Sequence, residues 1–118
     1  MLKLKNAFVK YAPEDGRRIL IETLWPLELD IYYHKIDQWL RDLAPSYRIL
    51  DWLRGHPKDW EQFEQYYREE LEDMRKRELL AQLSHSSESE TVTLLYAGKH
   101  TDETPAKVVF ELISGNQS

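Results

Sequence analysis

Hydrophobic positions along this chain repeat with two different periods, one typical of strands and one typical of helices. Residues 2–9 place apolar side chains at mostly every second position, which predicts a first strand. Consecutive apolar and β-branched residues at 18–25, and again at 91–97, predict two more strands that are buried on both faces, as in a parallel sheet. The segment 13–16, Pro-Glu-Asp-Gly, has the composition of a turn between the first two strands.

A helical period is clearest in the middle of the chain. The sequence predicts a long amphipathic helix that begins at Pro57 and continues past Leu79, with a bend near Arg75, because apolar residues recur there every three or four positions. These residues are Trp60, Phe63, Tyr67, Leu71 and Met74. The polar segment 84–90 is then expected to be a loop.

Three further segments have the features of shorter helices. Ser46 is expected to cap a helix that continues to about Arg54. Thr104, which is followed by proline, predicts the start of a last helix that Gly115 ends. Residues 29–35 are compatible with a short helix.

Residues 36–45 fit two interpretations. Their apolar spacing suits a helix, whereas their short length, their tryptophan and their terminal proline suit a strand, and the period alone leaves both open. Because strands and helices mix along the chain, the sequence predicts an α/β fold. A length of 118 residues predicts a single domain over 1–118. Residues 116–118 are expected to fray.

Composition narrows the classes of function. The chain has 16 Lys and Arg against 21 Asp and Glu, a formal net charge of −5, which disfavours nucleic acid as a partner. The absence of cysteine excludes a disulfide framework, a thiolate nucleophile and a cysteine zinc site. No apolar run approaches the roughly 18 residues of a membrane span, and no secretory signal is recognised. We therefore expect a cytoplasmic protein without a membrane partner.

Four sequence blocks occur together in a recognisable order and spacing. They are Glu-Thr-Leu-Trp-Pro at 22–26, Trp-Leu-Arg-Asp-Leu-Ala-Pro-Ser at 39–46, Gly-His-Pro at 55–57 with Trp60, Phe63 and Tyr67, and Thr-Leu-Leu-Tyr-Ala at 93–97. In this order the chain resembles, over nearly its whole length, the YeaO-like family of bacterial proteins with domain of unknown function 488. The resemblance implies a mostly parallel sheet of about four strands, packed with helices on its faces. It also favours a strand at Trp39, and it implies no established reaction.

The chain departs from the pattern of that family at two strand ends. The first block usually reads Asp-Arg-Leu-Trp-Pro-Arg-Gly, and both arginines are missing here. The residues at the four differing positions are Glu22, Thr23, Leu27 and Glu28. After the last strand the family tends to have Asp after the lysine and then Asn-His-Ala, whereas here His100 follows Lys99 and residues 104–106 are Thr-Pro-Ala. The resemblance therefore implies a divergent member whose site, if the family has one there, is altered or lost.

Candidate site residues cluster where the predicted strands end. Ligands of open α/β sheets bind beyond the carboxyl ends of the strands, so we expect any site at that rim. The candidate ligand-binding residues are Trp25, Arg41, Ser46 and Lys99, and the candidate catalytic residues are His56 and His100. Arg41 and Lys99 would hold a negative group, Trp25 would form a wall, and either histidine would transfer protons near neutral pH.

Each candidate also has a structural interpretation. Ser46 and His56 suit helix caps, and His56 can also pack on Trp60. Arg41 can pair with a neighbouring aspartate, and residues 99–100 can belong to a solvated loop. The four tryptophans of the chain are also natural core residues, because aromatic side chains dominate burial in small domains.

Two hypotheses of function remain open at this point. One is a binding domain for a small anionic ligand, or a degenerate enzyme, with its pocket at the rim. The alternative is a protein–protein interaction module without catalysis, with a protein partner or a second copy of the chain; the missing arginines favour it. Its candidate contact residues are Tyr32, Tyr33, Tyr47 and Tyr66. We predict no cofactor and no metal site, although Asp30, His34 and Asp37 would share one face of a helix.

Overall fold

The computed structural model describes residues 1–115 and builds its sheet from four parallel strands. They are β1 (Leu2–Asn6), β2 (Arg17–Leu20), β3 (Gln38–Trp39) and β4 (Val92–Tyr96). Their order across the sheet is β1-β4-β2-β3. The α/β class and the parallel sheet are confirmed, and residues 36–45 contain a two-residue strand followed by a 3₁₀ turn at Arg41–Leu43. The predicted fraying of 116–118 lies outside the described residues.

Four α-helices lie in the described part of the chain. They are α1 (Tyr47–Gly55), α2 (Trp60–Glu70), α3 (Met74–Ser89) and α4 (Pro105–Gly115). The predicted capping residues start two of them: Ser46 Oγ accepts a hydrogen bond from the N–H of Ile49 at 3.5 Å, and Thr104 Oγ1 accepts one from Lys107 at 3.3 Å. Over residues 1–115, no helix has both the length and the apolar character needed to cross a membrane.

The single long helix predicted from Pro57 is two helices in the structure. The first begins at Trp60 rather than at Pro57, and it ends at Glu70. The second begins after Asp73, whose side chain accepts hydrogen bonds from the N–H groups of Arg75 and Lys76 at 3.1 and 3.3 Å. This cap starts a new helix close to where the sequence predicted only a bend.

The prediction of a loop at 84–90 was wrong, because α3 continues to Ser89. Leu83 and Ser87 are buried one helical turn apart, so this stretch has an inner face despite its polar composition. Ser87 Oγ donates to the carbonyl of Ser84 at 2.8 Å. A serine that bonds its hydroxyl to the preceding turn satisfies that group without leaving the helix.

The short helix considered for 29–35 is a series of turns instead. Asp30 Oδ1 accepts hydrogen bonds from the N–H groups of Tyr32 and Tyr33 at 2.9 and 2.7 Å, which folds the chain into an Asx-type turn. Lys35 then adopts a positive φ of 51°. Within 29–35 only Leu29 is buried, followed by Ile36 just after the segment, so no apolar stripe supports a helix.

The two faces of the sheet are covered in different ways. On one face, Ile19 and Leu94 pack against residues of the helices, among them Phe63, Tyr67 and Val109. On the other face, the part of residues 1–115 that covers the sheet consists of irregular segments. The smaller core on that side consists of Ala7, Leu20, Leu29, Ile36 and Leu95, with Trp25 and Trp39 packed against it. The predicted strand 18–25 accordingly ends at Leu20, and the chain then leaves the sheet.

A fully buried guanidinium, that of Arg18 in β2, joins these irregular segments to the sheet. Its Nη2 donates to the carbonyls of Ala7 and Val9 at 3.2 and 3.3 Å. Its Nε donates to the carbonyl of Lys35 at 3.1 Å, and its Nη1 donates to Asp15 Oδ2 at 2.7 Å. One side chain thus donates hydrogen bonds to three backbone carbonyls of the irregular segments.

The carboxylate of Asp15 balances the charge of this guanidinium. Burial alone would raise the pKa of Asp15, but hydrogen bonds from Lys5, from the N–H of Ala12 and from Arg18 hold it below its usual value. The contact from Lys5 Nζ measures 2.8 Å. Asp15 therefore stays ionised, and the buried charge of Arg18 keeps its partner.

Replacing Arg18 with Met should destabilise the fold by about 3–5 kcal/mol, because it removes the buried partner of the Asp15 carboxylate and the side-chain donor to three backbone carbonyls. Urea unfolding followed by circular dichroism measures the loss. The matched control is Arg75→Met, which removes an arginine whose side chain is 72% exposed and should cost less than about 1 kcal/mol. Equal effects of the two substitutions would contradict the role given to Arg18.

Candidate functional site

A cleft of about 420 Å³ lies beyond the carboxyl ends of β2 and β4. Its walls come from residues 22–27 after β2, residues 97–98 after β4, helices α1 and α2, and the segment that leads into α4. The apolar lining consists of Leu24, Trp25, Pro26, Leu27, Leu50, Leu53, Trp60, Phe63, Ala97 and Pro105. The remaining lining residues are Gly98 and four polar ones, Glu22, Thr23, Glu103 and Thr104.

Glu22 is the partly buried charged residue of this lining. Its Oε1 accepts a hydrogen bond from the N–H of Ala97 at 3.0 Å, which connects the ends of β2 and β4. Its backbone carbonyl accepts a hydrogen bond from Trp39 Nε1 at 2.7 Å. Burial raises the pKa of the Glu22 carboxyl, and the bond from Ala97 opposes part of that shift. Its second oxygen, Oε2, has no hydrogen bond to any residue in 1–115.

The two threonines of the lining already use their hydroxyl groups. Thr23 Oγ1 donates to the carbonyl of Pro45 at 2.7 Å, and Thr104 Oγ1 donates to the carbonyl of Thr101 at 3.0 Å. Neither hydroxyl lies next to a histidine in the lining that would activate it as a nucleophile. Both threonines therefore shape the cleft walls by fixing the backbone.

The electrostatic character around this cleft is negative. Both charged residues of its lining, Glu22 and Glu103, are acidic. The nearby phenol of Tyr67 is fully buried, and its hydroxyl donates to the carbonyl of Leu43. Burial, together with the charges of Glu22 and Glu70, raises the pKa of Tyr67 well above its usual value. Tyr67 is consequently a neutral hydrogen-bond donor.

Among the predicted site residues, Trp25 lies in the lining of the cleft. Its Nε1 donates to the carbonyl of Leu29 at 2.8 Å, and its ring meets Trp39 edge-on with the centroids 5.4 Å apart. The guanidinium of Arg41 lies 5.4 Å from the centroid of Trp39. Arg41 therefore packs over the ring of Trp39, and among residues 1–115 it forms no ion pair with an aspartate.

The other predicted site residues lie outside that lining. Ser46 caps α1, and both its N–H and its hydroxyl donate to the carboxylate of Glu70. His56 follows α1, stacks on Trp52 with the ring centroids 4.3 Å apart, and places Nδ1 2.9 Å from the carbonyl of that residue. Residues 99–100 are exposed and directly follow Gly98 of the cleft. The catalytic and anion-binding roles given to these residues stay predictions.

Most of the residues that form the cleft are not among the site residues predicted from the sequence. Glu22 stood out only as a departure from a family pattern, although an acidic residue within an apolar run is itself a signal. Leu50, Leu53 and Glu103 carry no such signal, because they reach the cleft only through the packing of α1 and of the loop before α4.

The residues considered for a metal site form hydrogen bonds within the protein instead. Asp30 Oδ1 holds the turn at Tyr32 and Tyr33, and Asp37 Oδ2 accepts a hydrogen bond from the N–H of Arg18 at 2.8 Å. Among residues 1–115, no three acidic or histidine side chains are grouped in a way that could hold a metal ion.

Comparison with known proteins places the chain in a family. The model of the inactive DUF488-N3 subclade matches residues 1–117. The uncharacterized protein Rv3073c of Mycobacterium tuberculosis is 30% identical over 114 residues, which cover 97% of this chain and 94% of that protein. The uncharacterized protein YeaO of Escherichia coli is 28% identical over 111 residues, 92% of each chain. No solved structure matches the chain significantly. The resemblance seen in the sequence is thus confirmed, and the chain belongs to the inactive DUF488-N3 subclade.

Proposed function

We propose that this protein binds a small molecule in the cleft at the strand ends and carries out no reaction on it. The volume of about 420 Å³ lies within the range of small-molecule sites, and its mostly apolar walls with a few polar groups are typical of such sites. The description of the subclade as inactive supports binding without catalysis. So does the composition of the lining, which contains no histidine and no free hydroxyl nucleophile among the described residues.

The observation that carries the proposal is the carboxylate of Glu22 in an apolar wall. One of its oxygens is fixed by Ala97, while the other has no hydrogen bond within residues 1–115. An ionised carboxylate in such surroundings gains most from a partner that donates hydrogen bonds and carries positive charge. A ligand with an ammonium group beside an apolar or aromatic body would satisfy both Glu22 and the walls formed by Trp25 and Trp60.

This proposal changes the charge of the expected ligand. The sequence predicts an anion, but the cleft lining places Glu22 and Glu103 beside the ligand and contributes no cationic side chain from residues 1–115. The net charge of −5 also attracts cations to the surface. The side chains predicted to hold the anion, Arg41 and Lys99, lie outside the cleft lining, and their role stays a prediction.

An interaction role is a second candidate function, and one observation favours it. The turns between β2 and β3 expose Leu27, Tyr32 and Tyr33, whose residues are 89%, 90% and 82% accessible. Ile31 in the same segment is 47% accessible. Grouped apolar and tyrosine side chains are favoured in protein interfaces. By contrast, Tyr66 of the original four tyrosines is partly buried and packs edge-on against Trp52.

The cleft proposal predicts discrimination between two probes that share a phenylethyl group and carry opposite charges. 2-Phenylethylamine should raise the thermal midpoint of the wild-type protein, and 3-phenylpropionate, in which a carboxylate replaces the amine, should not. Glu22→Gln should abolish the stabilisation by the amine, while Glu61→Gln, an exposed site in α2 outside the cleft lining, should retain it. A ligand present at 100 times its Kd raises the free energy of unfolding by about 2.7 kcal/mol. In a domain of this size, that raises the thermal midpoint by several degrees. Equal stabilisation by both probes, or by the carboxylate alone, would reject the proposal.

The ionisation of Glu22 predicts a pH dependence of stability. Because its folded-state pKa is raised above the unfolded value of 4.5, the stability linked to this group is fully present below pH 4.5 and is lost as pH rises through the folded pKa. Glu22→Gln removes that loss, so its stability relative to wild type should increase from pH 4 to pH 8. Chemical denaturation at several pH values measures the difference, with Glu61→Gln as control. A difference that stays constant with pH, or decreases, would argue against the burial of this charge.

The interaction role predicts self-association through the exposed turns. If these tyrosines form a contact between two copies, wild-type protein should show a dimer that grows with concentration in sedimentation equilibrium. Tyr32→Ser combined with Tyr33→Ser should then remain monomeric, and Met74→Ser, at an exposed residue of α3 outside these turns, should behave as wild type. A wild-type protein that is monomeric up to millimolar concentration would count against this contact.

A further inference from the structure

The carboxylate of Glu22 offers one oxygen to the cleft, and this limits the kind of cation that it can bind. Its Oε1 already accepts the hydrogen bond from the N–H of Ala97 at 3.0 Å. Its Oε2 has no hydrogen-bond partner in residues 1–115, yet the one buried side-chain nitrogen or oxygen without a partner in that range is Arg17 Nε. Glu22 Oε2 is therefore not buried, and it can contact a molecule bound in the cleft that Glu22 lines.

Several other acceptors of the lining are already in use. The carbonyls of Glu22 and Gly98 accept hydrogen bonds from Trp39 Nε1 at 2.7 Å and from Asn6 Nδ2 at 3.2 Å. The hydroxyl oxygen of Thr104 accepts one from a backbone N–H of α4 at 3.3 Å. Additional N–H groups of a ligand beside Glu22 would have to compete with these bonds.

Two indole rings stand among the apolar side chains of the cleft, one in each wall. Trp25 is held by the hydrogen bond from its Nε1 to the carbonyl of Leu29 at 2.8 Å. The ring centroid of Trp60 lies 4.9 Å from that of Phe63. Both rings are therefore fixed by the protein itself, which lowers the cost of binding. Indole is the aromatic ring that attracts alkylammonium cations most strongly.

We propose that the ligand of this cleft is a tertiary ammonium, a cation with one N–H and three carbon substituents; this inference rests on the function proposed above. The single N–H donates to Glu22 Oε2, and the carbon substituents lie against the apolar walls. A guanidinium fits poorly, because its fork of N–H groups binds a carboxylate through both oxygens and Oε1 is taken by Ala97. A primary ammonium fits less well than a tertiary one, because the apolar walls provide no acceptor for its two further N–H groups.

The test is isothermal titration calorimetry with 2-phenylethylamine, its N,N-dimethyl and N,N,N-trimethyl derivatives, and 2-phenylethylguanidine. We expect the dimethyl compound to bind about fourfold more tightly than the primary amine, or better, because about this factor follows from one methyl-sized group that moves from water to an apolar wall. The trimethyl compound is more apolar but has no N–H, so it should bind less tightly than the dimethyl compound. The guanidine should bind no more tightly than the primary amine.

Three variants show whether Glu22 sets this order of affinities. Glu22→Gln should weaken the binding of all four compounds and remove the preference for the dimethyl over the trimethyl compound. Glu103→Gln removes an exposed carboxylate of the same lining, so it should weaken all four by a similar factor and keep their order. Glu61→Gln, outside the lining, should bind all four as wild type does.

The outcomes separate this inference from the function on which it rests. Affinity that increases with every added methyl group, equal affinity of the primary and dimethyl amines, or tightest binding of the guanidine would overturn the tertiary ammonium and leave the cleft as a cation site. A loss of the order in Glu103→Gln but not in Glu22→Gln would overturn it as well. If none of the amines binds to wild type, the proposed function itself is rejected.

Discussion

The buried guanidinium of Arg18 is the interaction on which half of this fold depends. A regular helix satisfies its own backbone, but an irregular segment laid over a sheet leaves carbonyls that need donors from elsewhere. Arg18 donates to the carbonyls of Ala7, Val9 and Lys35 and to the carboxylate of Asp15. Its planar set of N–H groups reaches several acceptors at once, which a lysine could not do. The side chain of this one strand residue thus holds in place the irregular segments that cover this face of the sheet.

The cleft follows from this unequal covering of the sheet. Because the chain leaves the sheet after Leu20 without forming a helix, residues 22–27 cross the sheet edge and face α1 and α2. The bond from Trp39 Nε1 to the carbonyl of Glu22 and the bond from Ala97 to its carboxylate hold this crossing in place. One wall is therefore irregular chain anchored to the sheet, and the opposite wall is a pair of helices.

Local chemistry explains which parts of the fold were predictable. Ser46 and Thr104 start helices through hydrogen bonds to residues three positions away. The nearby sequence is therefore enough to predict where these helices begin. Residues 84–89 were misjudged because their helical state depends on the burial of Ser87, which only tertiary packing reveals. Residues 29–35 were misjudged because the side chain of Asp30 favours a turn over the helical path.

The candidate site was less predictable than the fold for a related reason. Trp25 was found because it sits at the end of an apolar run, where a sheet rim is expected. Leu50, Leu53 and Glu103 join it from separate parts of the chain, and no spacing in the sequence connects them. Glu22 has the signal of a charge in an apolar run, but its importance depends on Ala97, 75 positions away in the chain.

The order of the strands has a consequence for how the protein is made. β4 pairs with both β1 and β2, so the two strands that emerge early from the ribosome are joined only by one that emerges late. Until residues 92–96 are synthesised, β1 and β2 each lack a neighbour on the side that β4 will occupy. Contacts of such long sequence separation form slowly, and unpaired strand edges attract other chains. The edges of β1 and β2 that β4 covers therefore stay unpaired until late in synthesis, and they are open to contacts with other chains during that time.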